Sequence, residues 1–567
     1  MCKVGERMNV LGLHVKHDAS ACVFKDNKLV AFVEEERFSR QKRHYGFPYQ
    51  SVDYCLRNAG LDISEINRVA VGNLPPLKSF TNNLSKYYFN GVCLMRPLKE
   101  LPKSIAYSFG QLFSRNSTSC MPTREDFFWI EHHSAHAAST YFCSPFKKSM
   151  YLTLDAWGDN ASGSYGIGEE SKLVEWHKIN SPNSLGFIYS RFTEYLGYPY
   201  DKGHEAKVMG MAAYGNPEDQ MQRFFNEGII SDDEKFGVWK TNQKYGFDKD
   251  SLERIELIFG IRNTNPKALQ SHYSNVAATL QRSLEASVVK TVQEMVRTFG
   301  NENLCLAGGV ALNCKMNGEI LKGGAVKNIY IPPHAHDAGK AIGAALQCLA
   351  EEGKKAKINL DTAYWGPEFS NEEIEVVLKE NNTKITYEKA GDIAGLTAEH
   401  IAKGEIVAWF QGRMEVGARA LGNRSIVADP TSIEIKDKIN VIKQREFWRP
   451  LCPSIKREAM EEYFGTDIDA PFMSFAVWCK EEKRKEIPGV VHVDNSVRPQ
   501  SVTKKQNPKY YKLIEEFEKL KGVPMVLNTS FNVQEPIICT PKEAVATFLK
   551  SKDLNALAIG DYWVVRR

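Results

Sequence analysis

"NVLGLHVKHDASACVFKDNKLVAFVEEERFSR", residues 9–40, sets the frame in which the rest of the chain is read. NVLGLHV has the apolar character of a strand, and KHDAS interrupts it with a polar turn. Two further apolar runs follow, parted by KDNK, the pattern of a hairpin. Outward from this stretch, strands are expected at RVAVGN (68–73), SMYLTLDAWGD (149–159), NLCLAGG (303–309) and NIYIPP (328–333). Helical runs separate most of them. A long one, 274–300, repeats apolar residues at spacings of three and four and ends on Gly300, a suitable C-terminal stop. Strands alternating with helices argue for an α/β fold.

At 567 residues the chain exceeds one ordinary core, so two large domains or three smaller ones are expected. Charged residues at 25% and apolar ones at 43% describe an ordinary globular protein. A net charge of +4 is near balance over this length and does not argue for a nucleic-acid partner. The 12 cysteines are scattered without a C-x-x-C pair, which fits reduced thiols and neither a disulfide framework nor a zinc ribbon. The start MCKVGERMNVLGLHV lacks a signal-peptide pattern, and no run approaches the roughly 20 apolar residues of a membrane helix. The expectation is a cytoplasmic protein with no membrane partner.

Around 351–372 the chain turns charged and loop-like, and a second α/β pattern begins beyond it. The domain boundary is expected within 355–395, with 1–360 and 361–567 as the two domains. Two stretches break the α/β rhythm and read as insertions. Residues 74–120 carry six Lys or Arg and one acidic residue, Glu100; residues 216–265 are polar, aromatic and expected to be helical. The basic stretch reads as a solvated surface, as a wall of an acceptor pocket or as a subunit contact.

In EHHSAHAAS (131–139), His132 and His136 sit four apart, which puts both imidazoles on one face of a helix. Asp155 ends the strand-like YLTLD, and Asp337 lies in PPHAHDAGKAIGAA just past another strand. Strand ends opening onto glycine-containing loops are where α/β sheets place ligands. Two imidazoles and two carboxylates suit Fe(II), Mn(II) or Zn(II) better than Ca(II). The metalloprotease pattern H-E-x-x-H is not met, because His133 follows the first histidine and Glu131 precedes it. On these residues alone a metal centre and a polar helix with satisfied histidines both stay open.

HDASA (17–21), LAGGVALNCKMNG (306–318) and DAGKAIGAA are three turns that could hold phosphate on backbone N–H groups, or simply be turns. Gly308, Gly309, Asn313 and Asn317 are the candidates in the second of these. GHEAKVMGMAAYG (203–215) adds Glu205 and Lys207, with an ordinary small-residue helix as the other reading. In the C-terminal half, VIKQREFWRP puts Lys443 and Arg445 two apart, on one face if the segment is extended. LNTSFN does the same for Ser530 and Asn532. Arg419, Arg424, Arg449 and Arg498 add fixed cations, whose forks match carboxylate and phosphate oxygens. Interruption by Phe447, Trp448, Pro450 and Phe531 favours an anion pocket over a solvated surface.

Taken together and in order, HDASA, EEERFSRQK, EHHSAHAAS, DAWGD, EAKVMGMAAYG, LAGGVALNCKMNG, HDAGKAIGAA, WFQGRMEVGARALGNRS, REFWRPLCPS, RPQSV and LNTSFN resemble the ATP-dependent O-carbamoyltransferases. These include the nodulation-factor and antibiotic carbamoyltransferases, and the resemblance covers essentially the whole chain. It implies an N-terminal domain like the Kae1/TsaD proteins of the actin-like ATPase superfold and a C-terminal YrdC-like α/β domain. It makes His132, His136, Asp155 and Asp337 metal ligands, with Fe(II) or another divalent ion as cofactor. The K-x-R…S-x-N signature falls on Lys443, Arg445, Ser530 and Asn532. Two departures stand out: FNVQEPI lacks the usual Gly before Glu-Pro, and Ala418 replaces a common Pro.

The implied reaction has two stages. Carbamoyl phosphate and ATP, the latter with Mg(II), would give carbamoyl-adenylate in the C-terminal domain, where Lys443, Arg445, Arg449 and Arg498 would neutralise the polyanions. At the N-terminal metal, the carbamoyl group would move to a small-molecule hydroxyl acceptor and AMP would leave. His17 is the candidate for assisting transfer, as base or by stabilising an oxyanion, with Asp18 orienting it; a plain turn histidine is the alternative. A natural product or sugar acceptor, no nucleic acid and an open oligomeric state complete the expectation. A threonylcarbamoyl-type enzyme acting on tRNA and an inactive nucleotide-binding paralogue are the competing readings.

Overall fold

The computed structural model describes residues 7–74, 126–199, 202–233 and 238–567. The basic stretch 74–120 therefore lies, past Leu74, outside the described residues. The chain forms two compact units, Met1–Pro266 with Gln270–Leu360, and Asp361–Arg567 with Lys267–Leu269.

In the first unit β1 (Val10–His14), β2 (Ser20–Lys25) and β3 (Lys28–Glu34) form an antiparallel meander. Asp26 and Asn27, at φ 52° and 63°, make the expected two-residue hairpin turn, since both residue types tolerate left-handed backbone. β4 (Arg68–Val71) joins β1 in parallel and β5 (Phe127–Trp129) joins β4, giving the order β3-β2-β1-β4-β5. Leu11, Leu13, Val23, Val33 and Val69 pack one face of this sheet against Val52 and Cys55 of the helix Tyr49–Ala59.

β6 (Lys148–Gly158), β7 (Ala161–Glu169) and β8 (Lys172–Asn180) form a second antiparallel meander. Asp159 and Asn160, at φ 49° and 69°, again make the turn from β6 to β7. The stretch 216–265 is only partly helical. Helices Glu218–Asn226 and Ser251–Phe259 flank a hairpin of β9 (Ile230–Asp233) and β10 (Val238–Thr241). Phe224 and Phe259, with ring centroids 5.3 Å apart, and the buried Trp239 give this excursion its own apolar core. The long helix runs Ser271–Phe299, and Gly300 stops it at φ 59° with its N–H on the carbonyl of Val296, 2.8 Å away. β11 (Asn303–Ala307) then joins β6 in parallel and β12 (Asn328–Tyr330) joins β11. The second sheet, β12-β11-β6-β7-β8, thus repeats the topology of the first.

The second unit is a mixed eight-stranded sheet in an α/β setting. Its strands are β13 (Ile385–Lys389), β14 (Val407–Phe410), β15 (Arg424–Ala428) and β16 (Cys452–Lys456), with a small separate pair, β17 (Val477–Trp478) and β18 (Ser496–Val497). β19 (Gln500–Val502), β20 (Met525–Ser530), β21 (Ala556–Ile559) and β22 (Tyr562–Arg566) complete it in the order β13-β22-β21-β14-β15-β20-β16-β19. No helix among the described residues is long and apolar enough to cross a membrane.

Candidate metal centre and anion site

The helix His132–Tyr141 is buried along nearly its whole length, which its small residues Ala135, Ala137 and Ala138 permit. Its first N–H groups need acceptors, and the N–H of His132 donates to Asp159 Oδ2 at 3.0 Å. One turn separates His132 from His136. Facing them are Asp155 from β6 and Asp337 from the loop after β12. The four ligand atoms lie within 4.8 Å of one another. His136 Nε2 is 3.1 Å from Asp337 Oδ1 and 3.3 Å from Asp155 Oδ2. His132 Nε2 is 3.6 Å from Asp155 Oδ2 and 3.7 Å from Asp337 Oδ1, and this buried nitrogen makes no hydrogen bond among the described residues. A buried nitrogen turned to two carboxylates, with no bond of its own, fits a divalent d-block ion. His133 does not join them: it is fully buried, with Nδ1 3.0 Å from Thr153 Oγ1.

Glycines make room for this arrangement. A Cβ on Gly158 would stand 2.1 Å from the His132 ring. Gly308 adopts φ 92°, and its Cβ would meet the Leu154 carbonyl at 2.1 Å, next to Asp155. The N–H of Gly309 lies 3.3 Å from Asp155 Oδ2, so these two expected residues shape the ligand's seat.

Burial alone would raise the Asp337 carboxyl; Lys340 first, then His17 and His132, outweigh it and hold Asp337 well below the usual range. Burial and Asp337 push Asp155 upward, and the imidazoles of His132 and His136 overcome both. His17 Nε2 is 3.3 Å from Asp337 Oδ2, and its Nδ1 is 2.9 Å from Asp18 Oδ2. Burial disfavours the imidazolium of His17, but the carboxylates of Asp337 and Asp18 outweigh it and raise its pKa. The ring is 44% exposed, so a substrate can reach it. Arg43 leans on the pair, with Nη2 3.4 Å from His17 Nδ1 and Nε 3.5 Å from Asp18 Oδ2.

The remaining expected nucleotide residues of this unit part company. Glu205 accepts a hydrogen bond from Ser190 Oγ at 2.8 Å, and Lys207 Nζ sits 4.7 Å from the centre of the Tyr198 ring. Asn313 caps the helix Cys314–Lys322 and exchanges amide hydrogen bonds with Gln281 at 2.9 and 3.0 Å. Asn317 is fully buried, its amide donating to the Ala311 carbonyl at 2.8 Å. Asn317, with no exposed surface, cannot present its amide to a nucleotide, a correction to that expectation, while Asn313 is only half-buried.

In the second unit Lys443 is fully buried and donates to the Ser530 carbonyl at 2.5 Å, to Ser530 Oγ at 3.1 Å and to Asn532 Oδ1. Ser530 Oγ donates in turn to Asn532 Oδ1 at 2.8 Å. The K-x-R segment is not extended, because Lys443 closes the helix Ile433–Ile442 and Gln444 is left-handed at φ 49°. The loop after Asn532, which lacks the expected Gly, is held by Glu535, whose carboxylate accepts the N–H groups of Val533 and Gln534 at 3.1 and 2.9 Å.

Arg445 lies near Arg449 and Arg498, and burial first, then their repulsion, lower its pKa to about 9. No hydrogen bond or ion pair holds its guanidinium among the described residues. Arg449 stands 3.9 Å from Glu446, and Arg498 donates to Cys452 Sγ at 3.0 Å. Three arginines gathered in one place make this the candidate anion site of the unit.

Arg424 is a correction. It is fully buried, stacked 3.7 Å over Phe410, and donates to the carbonyls of Gln411, Gly412, Asn423 and Pro367 at 2.7, 3.2, 2.9 and 3.1 Å. It clamps the GARALGNRS loop and offers nothing to a nucleotide, while Arg419 in the same loop stays partly exposed. The buried Glu415 shapes that loop too, accepting the N–H groups of Leu421, Asn423 and Arg424 at 2.7, 3.3 and 3.2 Å.

Sequence reasoning missed several members. Lys340 is fully buried, with Nζ 2.9 Å from both Asp337 Oδ2 and His132 Nδ1. Its spacing of three from Asp337, inside an otherwise small and apolar helix start, was the available signal. His14 is fully buried between Asn73 Oδ1 and the His17 carbonyl, at 3.0 and 2.9 Å, and nothing local in the strand NVLGLHV points to it. In EEERFSRQK, Glu34 pairs with Arg37 at 2.5 Å and faces His336 Nε2 at 3.4 Å, tying the first sheet to the loop of Asp337.

The profile of the carbamoyltransferase N-terminus matches residues 9–346, and that of the carbamoyltransferase C-terminus matches residues 398–566. A protein of Synechocystis sp., described only as uncharacterized, is 35% identical over 96% of this chain and 94% of its own length. Nodulation protein NolNO of Sinorhizobium fredii is 36% identical over 97% of this chain and 79% of its own. Nodulation protein NolO of Bradyrhizobium diazoefficiens is 38% identical over 77% of this chain and 79% of its own. Among solved structures, (R)-2-hydroxyglutaryl-CoA dehydratase component A of Acidaminococcus fermentans covers 61% of this chain and 98% of its own at 13% identity, with a TM-score of 0.35. With both profiles matched in order and relatives aligned over most of its length, the chain belongs to the carbamoyltransferase family.

Proposed function

We propose that this transferase is an ATP-dependent O-carbamoyltransferase with two sites, one forming carbamoyl-adenylate and one passing the carbamoyl group to a hydroxyl of a small natural-product or sugar acceptor. The observation that carries the reading is the presence of a converging His132–His136–Asp155–Asp337 set in one unit and of three neighbouring arginines, Arg445, Arg449 and Arg498, in the other.

In the C-terminal unit, water releases phosphate from carbamoyl phosphate, and the resulting carbamate oxygen attacks the α-phosphorus of ATP with loss of pyrophosphate. Polyanionic reactants repel each other, so the arginines lower the barrier by neutralising charge before attack. Lys443, fixed by Ser530 and Asn532, would add a preorganised point charge.

In the N-terminal unit the acceptor oxygen attacks the carbamoyl carbon, AMP leaves, and the acceptor gives up one proton. His132, His136, Asp155 and Asp337 would hold Fe(II) or another divalent ion, which supplies Lewis acidity toward a phosphate oxygen of the adenylate. His17, with Nε2 3.3 Å from Asp337 Oδ2 and Nδ1 on Asp18, is placed to assist transfer as a base or by stabilising the developing oxyanion.

The test is pyrophosphate release from ATP with metal and no acceptor, in the presence and absence of carbamoyl phosphate. Release that requires carbamoyl phosphate and falls about 100-fold or more in Lys443→Ala is expected. Release independent of carbamoyl phosphate, or unchanged in Lys443→Ala, would sink the mechanism.

A further inference from the structure

Two carboxylates, Asp155 and Asp337, face the same imidazoles in a buried pocket and repel each other. Neutral imidazoles offset this only through their N–H hydrogen bonds and bring no net positive charge. Among the described residues, Lys340 is the one lysine or arginine in ion-pair contact with either carboxylate. Its position is set by the fold: it lies in the first turn of the helix Gly339–Glu351, three residues past Asp337, with no exposed surface.

The geometry divides the two oxygens of Asp337. Oδ1 faces His136 at 3.1 Å and His132 at 3.7 Å, while Oδ2 faces Lys340 at 2.9 Å and His17 at 3.3 Å. One oxygen is turned to the ligand set and the other is claimed by the ammonium. Lys340 also reaches His132 Nδ1 at 2.9 Å, so it touches two of the four ligands from outside the pocket.

We propose that Lys340 is a positioning residue, an internal cation that keeps the four ligands assembled before a metal arrives and holds Asp337 to one oxygen afterwards. The inference rests on the metal reading above. It predicts one contact that persists and one that changes. An ammonium donating to Nδ1 leaves the imidazole proton of His132 on Nε2, the atom that faces the carboxylates. Ligation through Nε2 requires that proton on Nδ1, where it no longer accepts from Lys340. The Lys340–Asp337 contact has no such conflict and stays.

The experiment compares full-length wild type, Lys340→Met, Lys340→Gln and Lys340→Arg after chelation, with and without added Zn(II) as a redox-inert probe. Thermal unfolding and bound zinc per chain are read. The metal-free Lys340→Met protein should unfold about 5 °C or more below wild type. Zinc should recover most of that gap, because the ion then supplies the missing positive charge. Lys340→Gln, polar and close in length, guards against a plain packing failure and should behave as the Met variant does, while Lys340→Arg should retain part of the effect. Nitrogen-15 spectra of wild-type His132 should report a change of tautomer on zinc binding. An equal loss with and without zinc would make Lys340 an ordinary buried group and overturn the proposal. A wild type that neither binds zinc nor shifts would overturn the metal reading and this one with it.

Discussion

Arg424 and Arg445 are the same residue type in the same unit, and their replacement by methionine should have opposite effects. Arg424 donates to four backbone carbonyls and stacks on Phe410, so Arg424→Met strands buried acceptors. The expected loss is about 3–5 kcal/mol. The Arg445 guanidinium has no hydrogen-bonded partner among the described residues and lies near Arg449 and Arg498. Lowering its guanidinium from 12.5 to about 9 corresponds to a charge penalty of about 4–5 kcal/mol. Water and salt around a partly exposed side chain screen this, leaving about 1–3 kcal/mol to be released on removal. Arg445→Met should therefore raise the unfolding temperature of the second unit by about 3–6 °C. The assay is differential scanning calorimetry with and without pyrophosphate. Wild type should gain stability from the anion by mass action, and Arg445→Met should gain much less. The reasoning fails if Arg445→Met destabilises as Arg424→Met does, or if pyrophosphate stabilises it as fully as wild type.

Glu34→Gln tests a buried pair by pH. Burial would raise Glu34, but Arg37 and then His336 bring it down to about 2 from 4.5, so its roughly 3 kcal/mol of stability is present above pH 4.5 and lost as pH falls toward 2. The wild-type advantage over Glu34→Gln in urea unfolding should close across that window; a gap independent of pH would contradict the pairing. Gly308→Ala must accept φ 92° and a Cβ 2.1 Å from the Leu154 carbonyl. It should cost about 2–5 kcal/mol by thermal unfolding. Asp155→Asn keeps the shape and removes a ligand charge, and should weaken divalent-metal binding by calorimetry more than about 100-fold.

Hairpins and caps were legible because their chemistry is local. Asp26–Asn27 and Gly300 declare a left-handed backbone by residue type alone. His132 and His136 were legible through helical spacing; Asp155 was read as a strand end, whereas β6 runs on past it to Gly158 through an irregularity in its pairing with β7. Arg424 was misread because a guanidinium in a glycine-rich loop looks the same in sequence whether its donors face phosphate or carbonyls; only burial separates the two. Asn317 was misread for the same reason. His14 was invisible, and Lys340 legible only through its spacing from Asp337, because their other partners, Asn73 and His132, lie many residues away and are brought in by the fold.

Glu415 carries a consequence for how this protein can change its substrate. By taking the N–H groups of Leu421, Asn423 and Arg424, its carboxylate turns a glycine-rich loop outside in. The donors that such a loop would usually lend to phosphate point at the protein itself. On the proposed function, recognition of phosphate in this unit would fall to side chains, and side chains can be exchanged one at a time. A cradle of backbone amides is hard to retune without refolding the loop, whereas a ring of arginines can gain or lose a member with the scaffold intact. The second unit is built so that its appetite for charge is set by replaceable parts.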